Sequence, residues 1–129
     1  MRRGLLLFAH GARDPRWSAP FEAVAAQVRR DEPQLAVELA YLEFMTPTLR
    51  EAGERLAASR CDSVDVVPLF LGAGGHVRQD LPVLLAELAA LHPAVQWRLR
   101  PAIGEAPPVI AAMARAALEW VDAPPAPGA

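Results

Sequence analysis

The sequence contains a single cysteine, Cys61, and no lysine. One cysteine excludes an intrachain disulfide and a thiolate zinc site within one chain, and it favours a reducing compartment, so we expect a cytoplasmic protein. All 13 basic residues are arginines and the formal net charge is −2, which gives no reason to expect a nucleic-acid partner. The apolar residues 5–9 are too few for a signal peptide, and no segment has the length of a membrane span.

A length of 129 residues supports one domain with a real core but little room for a large enclosed cavity. We assign residues 1–121 to that domain. Residues 122–129 are rich in proline and alanine and cannot form a packed core, so we expect a disordered tail there. Because a domain of this size has little room for a large cavity, a sizeable substrate would need a partner subunit to complete its pocket.

Four segments have the patterns of β-strands, and helix-like segments separate them. Residues 5–9 and 64–71 are apolar on both faces, as central parallel strands are. Residues 35–42 include one acidic side chain, and residues 95–100 alternate strictly, which is typical of an edge strand. With right-handed crossovers, the sequence predicts an α/β fold: a four-stranded parallel sheet of order 2-1-3-4 with helices on both faces.

The four helices are predicted to begin at capping residues or prolines. These are Ser18, the pair Thr46-Pro47, Asp80 and the pair Pro107-Pro108. On this interpretation the third helix starts well after the glycine-rich residues 72–75, which then belong to a loop. Those glycines lack the spacing and the lysine of a phosphate-binding loop. They would instead allow a sharp turn or the close approach of a flat ligand.

Two histidines follow the two wholly apolar strands. His10 comes directly after the first strand, His76 lies in the glycine-rich loop after the third, and Glu43 lies just past the second. In order 2-1-3 the carboxyl ends of these strands meet at one edge of the sheet, where ligands bind. Two imidazoles and a carboxylate suit Fe, Co, Ni or Zn and leave coordination positions open. Glu43 is alternatively a proton acceptor, a helix cap or the partner of an arginine.

Three segments carry a family pattern: residues 10–15 (HGARDP), residues 42–44 (LEF) and residues 67–82 (VPLFLGAGGHVRQDLP). Together they resemble the short sirohydrochlorin chelatases, the class II tetrapyrrole chelatases of the CbiX and SirB type. The long third segment is specific, whereas the first is weak alone, and the resemblance covers essentially residues 5–120. It implies a three-layer chelatase-like domain. The serine that usually follows His-Gly in this family is Ala12 here, which puts any hydroxyl-dependent role at that position in doubt.

The resemblance implies the activity of a sirohydrochlorin cobaltochelatase or ferrochelatase, a lyase of cobalamin or sirohaem biosynthesis. Such an enzyme inserts a divalent metal ion into sirohydrochlorin without ATP. His10 and His76 would bind the incoming ion, and Glu43 would assist metal delivery or deprotonate the pyrroles. No permanently bound cofactor is implied, because the ion (Co²⁺, Fe²⁺ or Ni²⁺) is itself a substrate. The chain looks like the single-domain form, which works as a homodimer, and Met113 and Trp120 of the fourth helix are candidate anchors.

Sirohydrochlorin carries eight carboxylates, and arginines flank the histidines in both loops. Arg13, Arg16 and Arg78 suit bidentate carboxylate binding, although we expect at least one of them to be an ordinary surface residue. Apolar side chains and glycines would contact the ring. The predicted substrate-binding residues are Arg13, Phe44, Met45, Leu71, Gly74, Gly75 and Arg78.

Two other functions fit some of the same residues. A non-catalytic carrier of a metal or a tetrapyrrole would use the same pocket, and the sequence does not distinguish it from an enzyme. A histidine phosphatase also places His-Gly after its first strand. That site needs an arginine directly before the histidine, however, and this chain has Ala9 there.

Overall fold

Four parallel strands form the middle layer of the protein. The structure, a computed structural model, describes residues 1–72 and 74–125, without the side chain of His76. The strands are β1 (Arg3–Ala9), β2 (Ala36–Tyr41), β3 (Ser63–Pro68) and β4 (Gln96–Leu99). Their order is β2-β1-β3-β4 and every neighbouring pair is parallel. The predicted fold class, sheet order and helices on both faces are confirmed.

The helices are α1 (Ala19–Asp31), α2 (Leu49–Ala58), α3 (Gly75–Leu91) and α4 (Pro107–Asp122), with 3-10 turns at Pro15–Ser18 and Ile103–Glu105. Helix α1 covers one face of the sheet, and α2 and α3 cover the other. Within the described residues, no helix is both long and apolar enough to cross a membrane. Asp122 still belongs to α4, and residues 126–129 of the predicted disordered tail lie outside the described part.

Strand β1 is apolar on both faces because each face belongs to a separate hydrophobic cluster. Leu6 and Phe8 point into the larger cluster, beneath α2 and α3, and are fully buried. Leu7 and Ala9 point into the smaller cluster, which they share with Ala25 of α1. A strand buried on both sides makes a rigid base for whatever follows its carboxyl end.

Helix α2 begins two residues later than the sequence predicted. Thr48, and not Thr46-Pro47, is its N-cap residue. The amide of Glu51 donates to the Thr48 hydroxyl (3.2 Å) and the amide of Thr48 donates to the Glu51 carboxylate (2.9 Å). This reciprocal capping box satisfies two amides that the helix leaves unbonded, and its hydrogen bonds lower the pKa of the Glu51 carboxyl.

Helix α3 begins earlier than predicted, and this corrects the position of His76. Gly74 is its N-cap residue and Pro82 lies inside the helix, so His76 belongs to the first turn of α3 and not to a loop. An internal proline removes one backbone hydrogen bond. Burial of Leu81 and Leu88 against the sheet offsets that loss. Tertiary packing therefore overrides the local signal at Asp80.

Leu56→Ala is expected to lower the free energy of unfolding by about 2–5 kcal/mol, because it leaves a cavity in the larger cluster. Leu56 is 1% exposed, whereas Leu91 at the end of α3 is 49% exposed. Leu91→Ala is the matched control and should cost no more than about 0.5 kcal/mol. Urea denaturation measures both, and equal losses would contradict the assignment of Leu56 to the core.

Candidate active site

Two backbone hydrogen bonds extend the pairing of β1 and β2 beyond the strands. The Leu42 amide donates to the Ala9 carbonyl (2.9 Å), and the Glu43 amide donates to the His10 carbonyl (3.0 Å). His10 and Glu43 therefore lie side by side at the carboxyl edge of the sheet, and both are exposed. This adjacency agrees with the predicted strand order.

Gly11 allows this close approach of the two chain segments. Its φ is +86°, in the left-handed region that side chains other than glycine rarely adopt. A Cβ atom built on Gly11 would overlap the carbonyl group of Glu43. Any larger residue would therefore push the 43–44 turn away from His10.

A buried aromatic ring supports the imidazole of His10. The ring centroids of His10 and Phe70 are 4.2 Å apart with an interplanar angle of 32°. Phe70 is itself buried against Phe8, and the Leu69 amide donates to the Phe8 carbonyl (2.7 Å). Phe70 was not among the residues predicted for the site. Its position between the end of β3 and the glycine-rich segment was the available signal.

The third predicted member of the site follows the strand on the other side of β1. The backbone of His76 lies in the first turn of α3, where the Arg78 amide donates to the Gly74 carbonyl (3.0 Å). The imidazole of His76 lies outside the described part of the chain. The described residues contain no group of three or more His, Cys, Asp or Glu side chains that could hold a metal ion.

No contact or backbone conformation in the described chain requires glycine at Gly72, Gly74 or Gly75. None of them has a left-handed φ, and a Cβ atom built on any of the three meets no atom within 4 Å. The chain bends at Leu71 and Gly72, and the close approach of a flat ligand stays the other predicted reason for these glycines. They leave a strip of exposed backbone directly before His76.

The arginines around the site differ in their pairing. The Arg16 guanidinium ion-pairs with the Asp14 carboxylate (2.8 Å) and holds the pKa of that carboxyl below its ordinary value. The Arg13 guanidinium lies 4.9 Å from the centroid of the Phe44 ring. Among the described residues, Arg13 and Arg78 take part in no ion pair, so Arg16 is the structural member of the three.

The apolar residues predicted to contact the tetrapyrrole ring differ in how exposed they are. Phe44 and Leu71 are exposed by 57% and 72%. Met45 is half-buried and packs against the cluster beneath α1, so less of its side chain faces the site. Phe44 also has a φ of 65°, unusual for an aromatic residue, which turns the chain sharply after Glu43.

Gly104, which was not predicted to belong to the site, joins the site to the segment before α4. Its amide donates to the Phe70 carbonyl (2.9 Å), and a Cβ atom on Gly104 would overlap the backbone of Leu71. The 3-10 turn Ile103–Glu105 is therefore packed directly against the loop that leads to His76. A single glycine in a short turn carries no sequence pattern that would reveal such a contact.

Comparison with known proteins identifies the family. The family model CbiX matches residues 4–119 of this chain. The chain belongs to the CbiX family. Two curated relatives carry the name sirohydrochlorin cobaltochelatase. The one from Sulfurisphaera tokodaii is 34% identical over 85 residues, which are 66% of this chain and 69% of that protein. The one from Saccharolobus solfataricus is 39% identical over 82 residues, 64% of this chain and 62% of that protein.

Solved structures of CbiX and SirB proteins share the fold. A structure from Marinobacter aquaeolei VT8, described as a cobalamin (vitamin B12) biosynthesis CbiX protein, has a TM-score of 0.81 and 33% identity over 93% of this chain and 98% of that chain. The sirohydrochlorin chelatase SirB from Bacillus subtilis subspecies spizizenii, in complex with cobalt, has a TM-score of 0.80 and 23% identity. That comparison covers 92% of this chain and 51% of the SirB chain.

Gly11→Ala is expected to lower the free energy of unfolding by about 1–3 kcal/mol, because alanine is strained at this φ and its methyl group meets the Glu43 carbonyl. Gly72→Ala is the matched control, since its methyl group would meet open space at an ordinary φ. Urea denaturation of both variants measures the difference. If Gly11→Ala is as stable as Gly72→Ala, the close approach of the two segments does not constrain the site.

Proposed function

We propose that this CbiX-family chain inserts Co²⁺ or Fe²⁺ into sirohydrochlorin without a nucleotide, as a cytoplasmic homodimer in cobalamin or sirohaem biosynthesis. The observation that carries the proposal is the edge of the sheet where the ends of three adjacent strands present His10, Glu43 and the helix turn of His76. The family match over residues 4–119 and the relatives named sirohydrochlorin cobaltochelatase support the same reaction.

Metallation of the macrocycle removes two pyrrole protons, strips water from the ion and brings it to the ring nitrogens. A closed four-ligand site would trap the ion, whereas a site with few protein ligands releases it. His10 is exposed, and its imidazole packs on the ring of Phe70 with 4.2 Å between the ring centroids. We assign ion binding to His10 and His76, and proton acceptance to Glu43. The backbone amide of Glu43 is hydrogen-bonded to the His10 carbonyl, so the two residues are held close together.

The surroundings of these residues suit a flat, acidic substrate. The guanidinium groups of Arg13 and Arg78, which form no ion pair with the described residues, are suited to its carboxylates. The strip of backbone at Gly74 and Gly75 lets a ring approach where any side chain would hold it away. The exposed Phe44 and Leu71 supply apolar contacts to the ring, with a smaller contribution from Met45.

A non-catalytic carrier of the metal or of the tetrapyrrole is the alternative that uses the same residues. It predicts binding without turnover. A histidine phosphatase is disfavoured because the residue before His10 is the fully buried Ala9, where that chemistry needs an arginine.

The purified protein is expected to metallate sirohydrochlorin with Co²⁺ or Fe²⁺ in the absence of nucleotide. His10→Ala and His76→Ala should each reduce the rate almost to the uncatalysed level, because each removes a ligand of the ion. Glu43→Gln should slow turnover by about 10²-fold while retaining metal affinity better than either histidine variant.

Absorbance of the tetrapyrrole follows the reaction, with a sample lacking protein as the reference. Arg16→Ala is the control variant, since Arg16 is paired with Asp14. No acceleration with either ion, together with tight binding of sirohydrochlorin, would establish the carrier instead of the enzyme.

Gly75→Leu is expected to raise the KM for sirohydrochlorin roughly tenfold, equivalent to about 1.4 kcal/mol of binding, because a side chain there would hold the ring away from the backbone. Its stability to urea should not fall, since Gly75 occupies the first turn of α3 and a Cβ atom meets nothing. Ala26→Leu adds similar bulk to the exposed surface of α1 and serves as the control. An unchanged KM in Gly75→Leu would show that the glycine strip is not part of the surface that binds sirohydrochlorin.

A further inference from the structure

The backbone at Phe70 is held from two sides. On one side, the Leu69 amide donates to the Phe8 carbonyl of β1 (2.7 Å). On the other side, the Gly104 amide donates to the Phe70 carbonyl (2.9 Å), and Gly104 belongs to the 3-10 turn before α4. The His10 imidazole packs on the Phe70 ring, with 4.2 Å between the ring centroids. Both backbone contacts therefore affect where that imidazole lies.

Gly104 is required for space and not for backbone conformation. Its φ lies outside the left-handed region, so alanine could adopt the same backbone without strain. A Cβ atom on Gly104 would nevertheless overlap the Cα atom and the carbonyl group of Leu71. These are backbone atoms, which cannot rotate aside as the end of a flexible side chain can. A larger residue at position 104 therefore displaces one of the two segments.

The 3-10 turn before α4 is anchored to the sheet. The Arg100 amide donates to the Val66 carbonyl of β3 (2.9 Å), and Ala102 is buried in the larger cluster. Within the turn, the Glu105 amide donates to the Ala102 carbonyl (3.0 Å). The Phe70 ring belongs to the same cluster and is 3% exposed. Turn and ring are parts of one packed unit, and close-packed interiors transmit strain.

The Phe70 ring has one rigid neighbour and one movable neighbour. Phe8, whose ring centroid lies 5.9 Å away, is fully buried, whereas His10 is exposed. A ring that is pushed by the backbone of Leu71 moves toward the neighbour that yields, and this neighbour is the imidazole. Groups that orient a metal ligand ordinarily change metal affinity or activity by about 10–100-fold when they are altered.

We propose that Gly104 is a positioning residue for the metal-binding imidazole of His10, and that it acts through the ring of Phe70. Gly104 touches neither the ion nor the tetrapyrrole. Because it has no side chain, the turn before α4 approaches closely enough to hold Phe70 where its ring presents His10 beside Glu43. This inference rests on the proposed function and adds to it a residue from outside the three strand ends.

Gly104→Ala is expected to weaken Co²⁺ binding about tenfold, because the displaced Phe70 ring tilts the His10 imidazole. Calorimetry with Co²⁺ alone measures the affinity. In the chelatase assay kcat should fall by a similar factor, and KM for sirohydrochlorin should change less than kcat, because the arginines that suit its carboxylates are not moved.

Gly53→Ala is the matched control. A Cβ atom on Gly53 of α2 would meet the side chain of Leu88, so this substitution also crowds the larger cluster. Leu88 lies in the last turn of α3, at the opposite end of that helix from His76. Gly53→Ala should therefore bind Co²⁺ as wild type does. If Gly104→Ala binds Co²⁺ as tightly as Gly53→Ala, the proposal is overturned.

Nuclear magnetic resonance reports the position of the imidazole without metal or substrate. The carbon-bound protons of the His10 ring lie near the Phe70 ring, so their chemical shifts include its ring current. The chain has three histidines, and His10→Ala assigns the signals. Gly104→Ala should change these shifts, and Gly53→Ala should leave them as in wild type. Unchanged His10 shifts in Gly104→Ala would overturn the proposal.

Phe70→Leu tests whether Gly104 acts through the aromatic ring. It keeps the backbone contact with Gly104 and should itself weaken Co²⁺ binding about tenfold. In the Phe70→Leu background, Gly104→Ala should add little to the loss, because the ring that transmits the displacement is absent. Losses that multiply in the double variant would show that the two residues act independently, and would overturn the proposal.

Circular dichroism establishes that each variant is folded. If Gly104→Ala is not folded, Phe70→Leu decides alone: wild-type Co²⁺ affinity in that variant overturns the proposal, and a tenfold loss supports it.

The chelatase rate of the wild type separates this inference from the proposed function. If wild type does not metallate sirohydrochlorin but Gly104→Ala shifts the His10 signals and weakens Co²⁺ binding, the proposed function fails and the positioning role stands. If wild type metallates sirohydrochlorin and Gly104→Ala matches Gly53→Ala in both measurements, the positioning role fails and the proposed function stands.

Discussion

Two backbone hydrogen bonds, from the amides of Leu42 and Glu43 to the carbonyls of Ala9 and His10, determine the geometry of the site. They continue the β1–β2 pairing past the point where the strands end, so the segments that carry His10 and Glu43 leave the sheet together. The approach is possible because Gly11 has no Cβ atom to meet the Glu43 carbonyl. A backbone contact of this kind positions two reactive groups without using either side chain for structure.

Buried aromatic residues of the sheet and of the loop after β3 support the imidazole of His10. Phe8 and Phe70 pack against each other inside the larger cluster, and His10 lies on Phe70 at the surface. Close packing makes such a base resistant to movement, whereas the exposed imidazole of His10 is accessible from solvent. A rigid base beneath an exposed imidazole agrees with the proposed role of His10, which is to take up an ion and release it to a macrocycle.

The glycine-rich segment and α4 are parts of the chain whose composition its own packing does not explain. No atom of the described chain would meet a Cβ at Gly72, Gly74 or Gly75, and no element of the described chain buries the apolar residues of α4. Exposed apolar surface of this extent ordinarily marks an interaction site. We relate the first feature to a flat substrate and the second to another copy of the chain.

The local sequence was sufficient for the fold class and for the adjacency of His10 and Glu43 at the edge of the sheet. Apolar runs of strand length, with right-handed crossovers, predicted the order 2-1-3-4, and that order alone placed His10 next to Glu43. The start of α3 could not be predicted, because Pro82 gives a strong local signal that the burial of Leu81 and Leu88 overrides. The N-cap of α2 was misplaced because two threonines lie close together and only the reciprocal bonds with Glu51 distinguish them.

The sequence by itself determined which residues can bind a metal ion, accept a proton or bind a carboxylate, because these properties belong to the side chains. Tertiary structure decided which of them are available. Met45 is partly buried in the cluster beneath α1, and Phe70 and Gly104 enter the site through contacts between segments far apart in the chain. Such contacts depend on distances between segments, which a pattern along a single chain does not contain.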